Sequence, residues 1–175
     1  MADLRAIAGS LGYVDATTYI QSGNLVFGTP ASMDPYDAEM ASLALRSAIT
    51  ARVGLEVDVM VRDRADLVRV LAAVPYPVAV PARVLIVFLA AAPTPEACAA
   101  LEEAAAWPEE VRIVGREAFL HLPDGIGRSP LAPLVERRLR VHGTGRNLAT
   151  TRALLAMVEA IDGPQVRQAA DGSVD

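Results

Sequence analysis

The sequence contains no lysine, and all 16 of its basic residues are arginine. This absence excludes Schiff-base chemistry and a lysine general base, because both need an amine side chain. Cysteine occurs once, at Cys98, which excludes an intramolecular disulfide and a cysteine-rich zinc site. The two histidines, His121 and His142, lack metal-binding spacing, so we expect no metal and assign no cofactor.

Long apolar runs and an excess of positive charge are also absent. The longest apolar run, 84–92, has nine residues, about half the length that a membrane helix requires. No basic stretch followed by an apolar core opens the sequence, so we expect a cytoplasmic protein without a membrane partner. A formal net charge of −5 argues against a nucleic-acid partner, because phosphate neutralisation needs surplus positive charge.

Apolar residues make up 53% of the 175 residues, enough for one or two small domains with proper cores. The most informative stretch is Tyr19–Phe27, where β-favouring residues flank a polar group centred on Gly23. This pattern predicts two short strands joined by a tight turn.

The rest of the first half predicts helices and one further strand. Helical spacing of apolar residues covers 3–11, from Asp34-Pro35 to about Gly54, and 64–74. Between the last two helices, valines at 57, 59 and 61 alternate with Asp, Met and Arg, which predicts a half-buried strand.

The second half predicts a similar series. An apolar run over 83–90 indicates a strand buried on both faces, and Thr94-Pro95 begins a helix that ends near residue 106. A second hairpin over 111–114 and 118–122 follows, then a helix from Ser129-Pro130 to about residue 140. A short segment, 143–147, leads into a final helix over 149–161.

Three prolines at 75, 77 and 81 mark the expected domain boundary. We therefore predict domains over 1–76 and 83–162 and a disordered polar tail over 163–175. The order of helices, hairpins and strands predicts an α+β protein of two tandem ferredoxin-like sandwiches, each a split βαβ unit. We expect the first of them to lack its N-terminal strand.

The stretch Tyr19-Ile20-Gln21-Ser22-Gly23-Asn24-Leu25-Val26-Phe27 closely resembles the signature of the family called Domain of Unknown Function 1697. Segments 1–5, 115–117, 121–129 and 144–147 are similar to that family too, in order, over roughly residues 1–160. The resemblance implies a bacterial, cytosolic α/β protein with ferredoxin-like domains. It implies no established activity and no catalytic residues.

The chain departs from the family pattern in two places. Family members begin with a strand and a Gly-Gly loop upstream of the position of Met1. The resemblance therefore implies that the true start lies upstream, or that a rearranged or partner strand completes the sheet. An open sheet edge would also offer a homodimer contact. Secondly, Leu148-Ala149 stands where the family has Trp-Asn, which removes any role of those side chains.

Two loops share a pattern that suits an anion. Each places glycines, an arginine and a capping residue ahead of a predicted helix: Arg128 with Ser129, and Arg146 with Asn147. Helix N-termini expose free N–H groups, and arginine offers a bidentate fork for phosphate or carboxylate. The alternative is that Ser129 and Asn147 cap helices and the glycines make turns.

A polar cluster at the hairpin tip, Gln21, Ser22 and Asn24, is the second candidate. Turn geometry explains Asn24 together with Gly23, whereas Gln21 and Ser22 are less required by it and could contact a ligand.

These features predict a small anionic ligand, a phosphate or carboxylate, bound between the domains by the two loops and the hairpin tip. The alternatives are a transferase or hydrolase of a phosphorylated small molecule, with Ser22 or Asp124 as the reactive group, and a dimerisation module. For Asp124 beside Arg128 we favour an ion pair over an acid–base group, and we assign no catalytic residue.

Overall fold

A computed structural model of the chain describes residues 2–21, 23–33, 36–77 and 79–170, the last nine of these by their backbone alone. Within those ranges the fold is α+β, with six α-helices and two antiparallel sheets. The chain divides into two compact units. Unit 1 comprises Met1–Arg64 with Ala153–Asp175, and unit 2 comprises Ala65–Arg152.

Unit 1 contains the predicted hairpin. Its elements are α1 (Ala2–Ser10), β1 (Val14–Tyr19), β2 (Asn24–Gly28), α2 (Ala38–Val53) and the later part of α6 (Leu148–Ala170). Strands β1 and β2 are antiparallel, with Tyr19 opposite Asn24 and Thr17 opposite Val26. This pairing confirms the strand–turn–strand prediction for the family-like stretch.

The core of unit 1 lies where the two helices meet the hairpin. Helix α2 contributes Ala41, Leu45 and Ile49, which recur every four residues and therefore share one face. Helix α1 contributes its own buried pair, and the rings of Tyr13 and Phe27 lie 4.2 Å apart, centroid to centroid. These contacts fix the hairpin on the helices.

Helix α2 begins later than the sequence predicts. Its N-cap is Asp37, whose Oδ1 accepts hydrogen bonds from the N–H groups of Glu39 at 2.8 Å and Met40 at 3.1 Å. The predicted start at Asp34-Pro35 is therefore wrong, and those two residues lie outside the described ranges. The predicted end is confirmed at Gly54, which adopts a φ of 71°.

The predicted strand over 57–61 is wrong, because the structure assigns no strand to 54–63. Val59 and Val61 pack against the unit 1 core, whereas Val57 is exposed, so the alternation predicts burial only in part. The Ser42 hydroxyl donates to the Val59 carbonyl. Within the described residues no strand pairs with this segment, and a β-strand exists only through its ladder partner.

Unit 2 is built on a four-stranded sheet. Its elements are the helix α3 (Arg64–Ala72) from Ala65 onward, β3 (Val84–Leu89), α4 (Pro95–Ala104), β4 (Glu110–Val114), β5 (Glu117–His121), α5 (Leu134–Leu139), β6 (Gly143–Asn147) and the first turn and a half of α6. The strand order is β4-β5-β3-β6, and all neighbours are antiparallel. Every residue of β3 is buried, as the apolar run predicts.

Alternate residues of β3 pack against different layers. Leu85, Val87 and Leu89 share a core with α4 and α5. The residues between them share the opposite face with Phe119, whose carbonyl accepts a 3.1 Å hydrogen bond from the Tyr76 hydroxyl. On the same face as Phe119, Glu117 forms a 3.0 Å ion pair with Arg69 of α3. Residues of unit 2 therefore contact both faces of this sheet.

Helix α5 begins at Leu134, not at the predicted Ser129-Pro130. The turn before it is held by the Ser129 hydroxyl, which accepts a 2.9 Å hydrogen bond from the Ala132 N–H. Pro133 occupies the residue before the helix. Because proline lacks an N–H group, it is tolerated at a helix start but not further inside.

Strand β6 replaces the predicted connecting segment over 143–147. It pairs with β3, with Gly143 opposite Leu89 and Gly145 opposite Val87. A Cβ atom at Gly143 would lie 2.8 Å from Cγ1 of Val87. The two glycines weaken the strand pattern in the sequence, and because they lack side chains they allow β6 to pack closely beside β3.

The predicted domain limits, 1–76 and 83–162, differ from the two units by α3 and by the C-terminal helix. As limits of independently folding domains they stay a prediction. Helix α6 is described as far as Ala170, beyond the predicted end at 161, and residues 171–175 of the predicted tail lie outside the described ranges. Across the described residues, no helix has both the length and the apolar character to span a membrane.

Candidate functional site

The two predicted loops both contain the capping hydrogen bonds of the structural alternative. Ser129 is buried, accepts from Ala132 and donates to the Glu109 carboxylate at 3.0 Å. The Asn147 side-chain oxygen accepts a 2.8 Å hydrogen bond from the Thr150 N–H at the start of α6. Capping therefore explains Ser129 and Asn147, and their role toward a ligand stays a prediction.

The hairpin tip is likewise explained in part by turn geometry. Asn24 is buried, and its amide donates a 3.1 Å hydrogen bond to the Tyr19 carbonyl across the hairpin. Gly23 has a φ of 74°, which glycine adopts without strain. Gln21 is exposed, and Ser22 lies outside the described residues.

The two predicted arginines differ in their surroundings. Arg128 is exposed, and neither it nor Asp124 has an ion-pair partner within the described ranges, so the predicted Asp124–Arg128 ion pair is wrong. Arg146 is half-buried and donates to the Thr144 hydroxyl at 2.7 Å and the Gly145 carbonyl at 2.8 Å. Burial lowers the pKa of Arg146. Both arginines belong to unit 2, whereas Gln21 and Asn24 belong to unit 1.

The loop that carries Arg128 is tied to an arginine that the sequence analysis missed, Arg83. The Leu122 N–H donates to the Arg83 carbonyl at 2.8 Å, and the Gly125 N–H donates to the Leu122 carbonyl at 2.9 Å. Gly125 has a φ of 85°, and a Cβ there would lie 2.5 Å from Nη1 of Arg83. Glycine at 125 therefore lets the guanidinium lie against the loop backbone.

Beside this contact lies a cavity of about 370 Å³, which we call the Arg83 pocket. Most of its wall is apolar. Its lining residues, all in unit 2, are Pro77, Ala79, Val80, Arg83, Val84, His121 and Pro123. The volume falls within the range of small-molecule sites, which combine apolar walls with a few polar groups.

The polar groups of the pocket are Arg83 and His121. Arg83 is partly buried, and its guanidinium has no ion pair or hydrogen bond within the described residues. His121 Nδ1 lies 3.8 Å from the Glu110 carboxylate, and the His121 ring lies 5.6 Å from that of Tyr76. Burial, its largest cause, raises the pKa of Tyr76, so its phenol stays protonated and serves as a donor.

A guanidinium without a carboxylate partner beside apolar walls suits an anion that carries an apolar group. Arginine binds carboxylate and phosphate oxygens through two parallel N–H donors. No sequence pattern marked Arg83, because the contact joins it to Gly125 across three strands and a helix. The only signal was that Arg83 interrupts an otherwise apolar stretch ahead of β3.

Other reactive groups do not gather elsewhere in the described ranges. No group of three His, Cys, Asp or Glu side chains there is arranged to hold a metal ion. Cys98 is partly buried, and burial, the largest cause, raises the pKa of its thiol, as expected for the inert thiol of a structural cysteine.

Comparison with known proteins places the chain in a family. The family model described as "Protein of unknown function (DUF1697)" matches residues 1–119 of the 175, so the chain belongs to that family. The match includes the Tyr19–Phe27 hairpin and ends before the loop 123–129. No curated protein and no solved structure matches the chain.

Proposed function

We propose that this member of the DUF1697 family binds a small anionic ligand, a carboxylate or phosphate with an apolar body, in the Arg83 pocket. The observation that carries the proposal is the partly buried guanidinium of Arg83, which has no carboxylate partner within the described residues. Burying part of a charge without a counter-ion is unfavourable, and a bound anion would remove that cost.

The pocket's composition indicates the class of ligand. Its apolar walls favour a ring or short aliphatic group, and its single guanidinium favours one anionic head. His121 and the exposed Arg128 on the adjoining loop are the further groups that we include as ligand contacts. The remaining predicted site residues, Gln21, Ser22, Asn24, Ser129, Arg146 and Asn147, stay predictions as ligand contacts.

Isothermal titration with benzoate, phenyl phosphate and benzyl alcohol tests the proposal, because the three probes share a ring and differ in charge. We expect benzoate or phenyl phosphate to bind at least about tenfold more tightly than the neutral alcohol, since each ion pair in a partly apolar site contributes at least about 1.4 kcal/mol. Arg83→Gln should remove this preference.

The matched control is Arg112→Gln, which removes the same charge from an exposed arginine of unit 2 that pairs with Glu102 at 3.9 Å. It should leave the affinity for benzoate unchanged within about twofold, because exposed ion pairs contribute little. If Arg83→Gln binds benzoate as well as the unmodified protein, the proposal is wrong. Arg128→Gln then shows whether the predicted loop arginine binds the anion instead.

We also infer that unit 2 is a ferredoxin-like sandwich. Its element order is strand–helix–strand–strand–helix–strand, and the first strand, β3, lies between β5 and β6. This is the split βαβ arrangement. The helix–strand–strand–helix order of unit 1 matches the four elements that follow β3 in unit 2, which supports a tandem pair. An experimental structure of residues 65–152 within the full chain tests the inference.

A bacterial cytoplasmic location and a homodimer joined through an exposed sheet edge remain our proposals as well. Unit 1 supports the homodimer, because each strand of its two-stranded sheet has one free edge within the described residues. Light scattering at micromolar concentration distinguishes a dimer from a monomer, and fractionation of the native cells tests the location.

A further inference from the structure

A second cavity of unit 2 carries an inference independent of the Arg83 pocket. It has a volume of about 740 Å³ and lies between the start of α4 and the end of α5. Three of its lining residues are the arginines Arg137, Arg138 and Arg140, so we call it the arginine groove. None of the three belongs to the loops singled out from the sequence.

All three arginines are exposed, and none has an ion-pair or hydrogen-bond partner for its side chain within the described ranges. Several other exposed arginines of this protein are paired, as Arg46 is with Asp58 and Arg52 with Asp3. Three arginines that line one groove, none of them with an ion-pair partner within the described residues, favour binding of an external anion.

One acidic residue, Glu96, also lines the groove. Hydrogen bonds with its own backbone N–H and then with Thr94 lower the pKa of Glu96, so it stays charged at the first turn of α4. Three arginines against one glutamate leave the lining with a formal charge of +2. The whole chain has a net charge of −5, so the groove is a positive region on an acidic protein.

We propose that the arginine groove binds a small polyphosphate, a molecule with at least two linked phosphate groups. The reason for several phosphates is the exposure of the arginines, because a single exposed ion pair contributes little to the binding free energy. Useful affinity in an open groove therefore needs several contacts at once, and guanidinium groups match phosphate oxygens bidentately. The apolar part of the wall, Ala97, Ala100 and Val141 among others, leaves room for an organic group attached to the phosphates.

Titration of the full chain with inorganic tripolyphosphate at 50 mM NaCl tests this proposal. We expect binding at least about tenfold tighter than that of inorganic phosphate, and at least about tenfold weaker in an Arg137→Gln, Arg138→Gln, Arg140→Gln variant. The control is an Arg46→Gln, Arg52→Gln, Arg64→Gln variant, which changes the net charge equally on three paired, exposed arginines of unit 1. It should bind within about twofold of the unmodified protein.

A further substitution, Glu96→Gln, should change the affinity in the opposite direction. Glu96→Gln removes the one negative charge of the groove but keeps a side chain that can hydrogen-bond, so we expect tripolyphosphate to bind about two- to fivefold more tightly. Circular dichroism confirms that each variant is folded before titration.

Three results would overturn the proposal: no binding of tripolyphosphate, equal weakening in both triple variants, or tighter binding of hexaglutamate than of tripolyphosphate. The last would identify an acidic peptide as the ligand. Failure of benzoate binding at the Arg83 pocket leaves these outcomes unaffected, because the two cavities share no lining residue.

Discussion

Units 1 and 2 share a helix–strand–strand–helix series followed by a further segment, and only in unit 2 does that last segment pair as a strand. In unit 2 the last segment, 143–147, is the strand β6, although its sequence is Gly-Thr-Gly-Arg-Asn. In unit 1 the corresponding segment contains alternating valines at 57, 59 and 61 but forms no strand. The segment with the weaker β pattern is the one in the sheet.

What decides between the two segments is whether a neighbouring strand pairs with them, and not the strength of their own β pattern. Strand β3 offers a free edge to 143–147, and five residue pairs join the two strands. Within the described residues no strand pairs with 57–61. Strand propensity expresses fit to a half-buried pleated surface, so it cannot create a strand where no partner is available.

The largest expected difference between the units is the loss of stability when an ion pair of each is broken. Glu117 of unit 2 is 1% exposed and pairs with Arg69, whereas in unit 1 the Arg64–Glu159 pair is exposed on both sides. Arg69→Met should lower the free energy of unfolding by about 3 kcal/mol, because it removes the guanidinium partner of a buried carboxylate. Arg64→Met should cost less than about 1 kcal/mol.

Urea unfolding followed by circular dichroism measures both variants, since the single tryptophan, Trp107, is 86% exposed and a poor probe of packing. Equal losses in the two variants would contradict the assigned difference in burial.

A smaller effect tests how β6 fits beside β3. Gly143→Val places a Cβ 2.8 Å from Val87 Cγ1 and 3.1 Å from the Phe88 carbonyl oxygen, so we expect a loss of about 2 kcal/mol from overpacking. Gly127→Val is the control, because nothing lies within 4 Å of a Cβ there. Thermal melting compares the stability of the two variants. A Gly143→Val protein as stable as the control would show that β6 does not pack as described.

The smallest effect concerns pH and the core of unit 1. Burial, then the charge of Tyr13, raises the pKa of Tyr36 to about 12. In the unfolded chain the same phenol ionises near pH 10, so the folded state holds its proton longer. The Tyr36 contribution to stability is therefore complete below pH 10 and is lost as pH rises toward 12.

Tyr36→Phe should flatten this part of the decline without removing that of Tyr13, whose pKa burial also raises. Chemical unfolding at pH 9, 10 and 11 gives the comparison. An identical pH dependence in the Phe variant would mean that Tyr36 ionises freely in the folded protein.

The elements that could be predicted from the sequence are those that depend on local periodicity and capping. The hairpin, the buried strand β3 and the helix α4 with its Thr94 cap follow from spacing and capping residues, and the structure confirms each of them. The sequence did not predict β6 or the late start of α5. The first depends on a distant edge, and the second on Pro133 acting after Ser129 has closed a turn.

The candidate site shows the same division. The glycines and Arg128 of the loop 125–129 were recognisable from their types and order. Arg83 was not, because its importance comes from lying against Gly125 and lining a cavity that the fold creates. The loop could therefore be predicted from the sequence, whereas Arg83 beside it could not.

Hydrogen exchange with and without saturating benzoate tests the central claim, that the ligand site lies in unit 2 beside Arg83 and not at the family-like hairpin. We predict slower amide exchange over 79–84 and 121–128 when benzoate is present, with no change over 14–28. Slower exchange over 14–28 alone, or no change in any segment at saturating benzoate, would contradict the account.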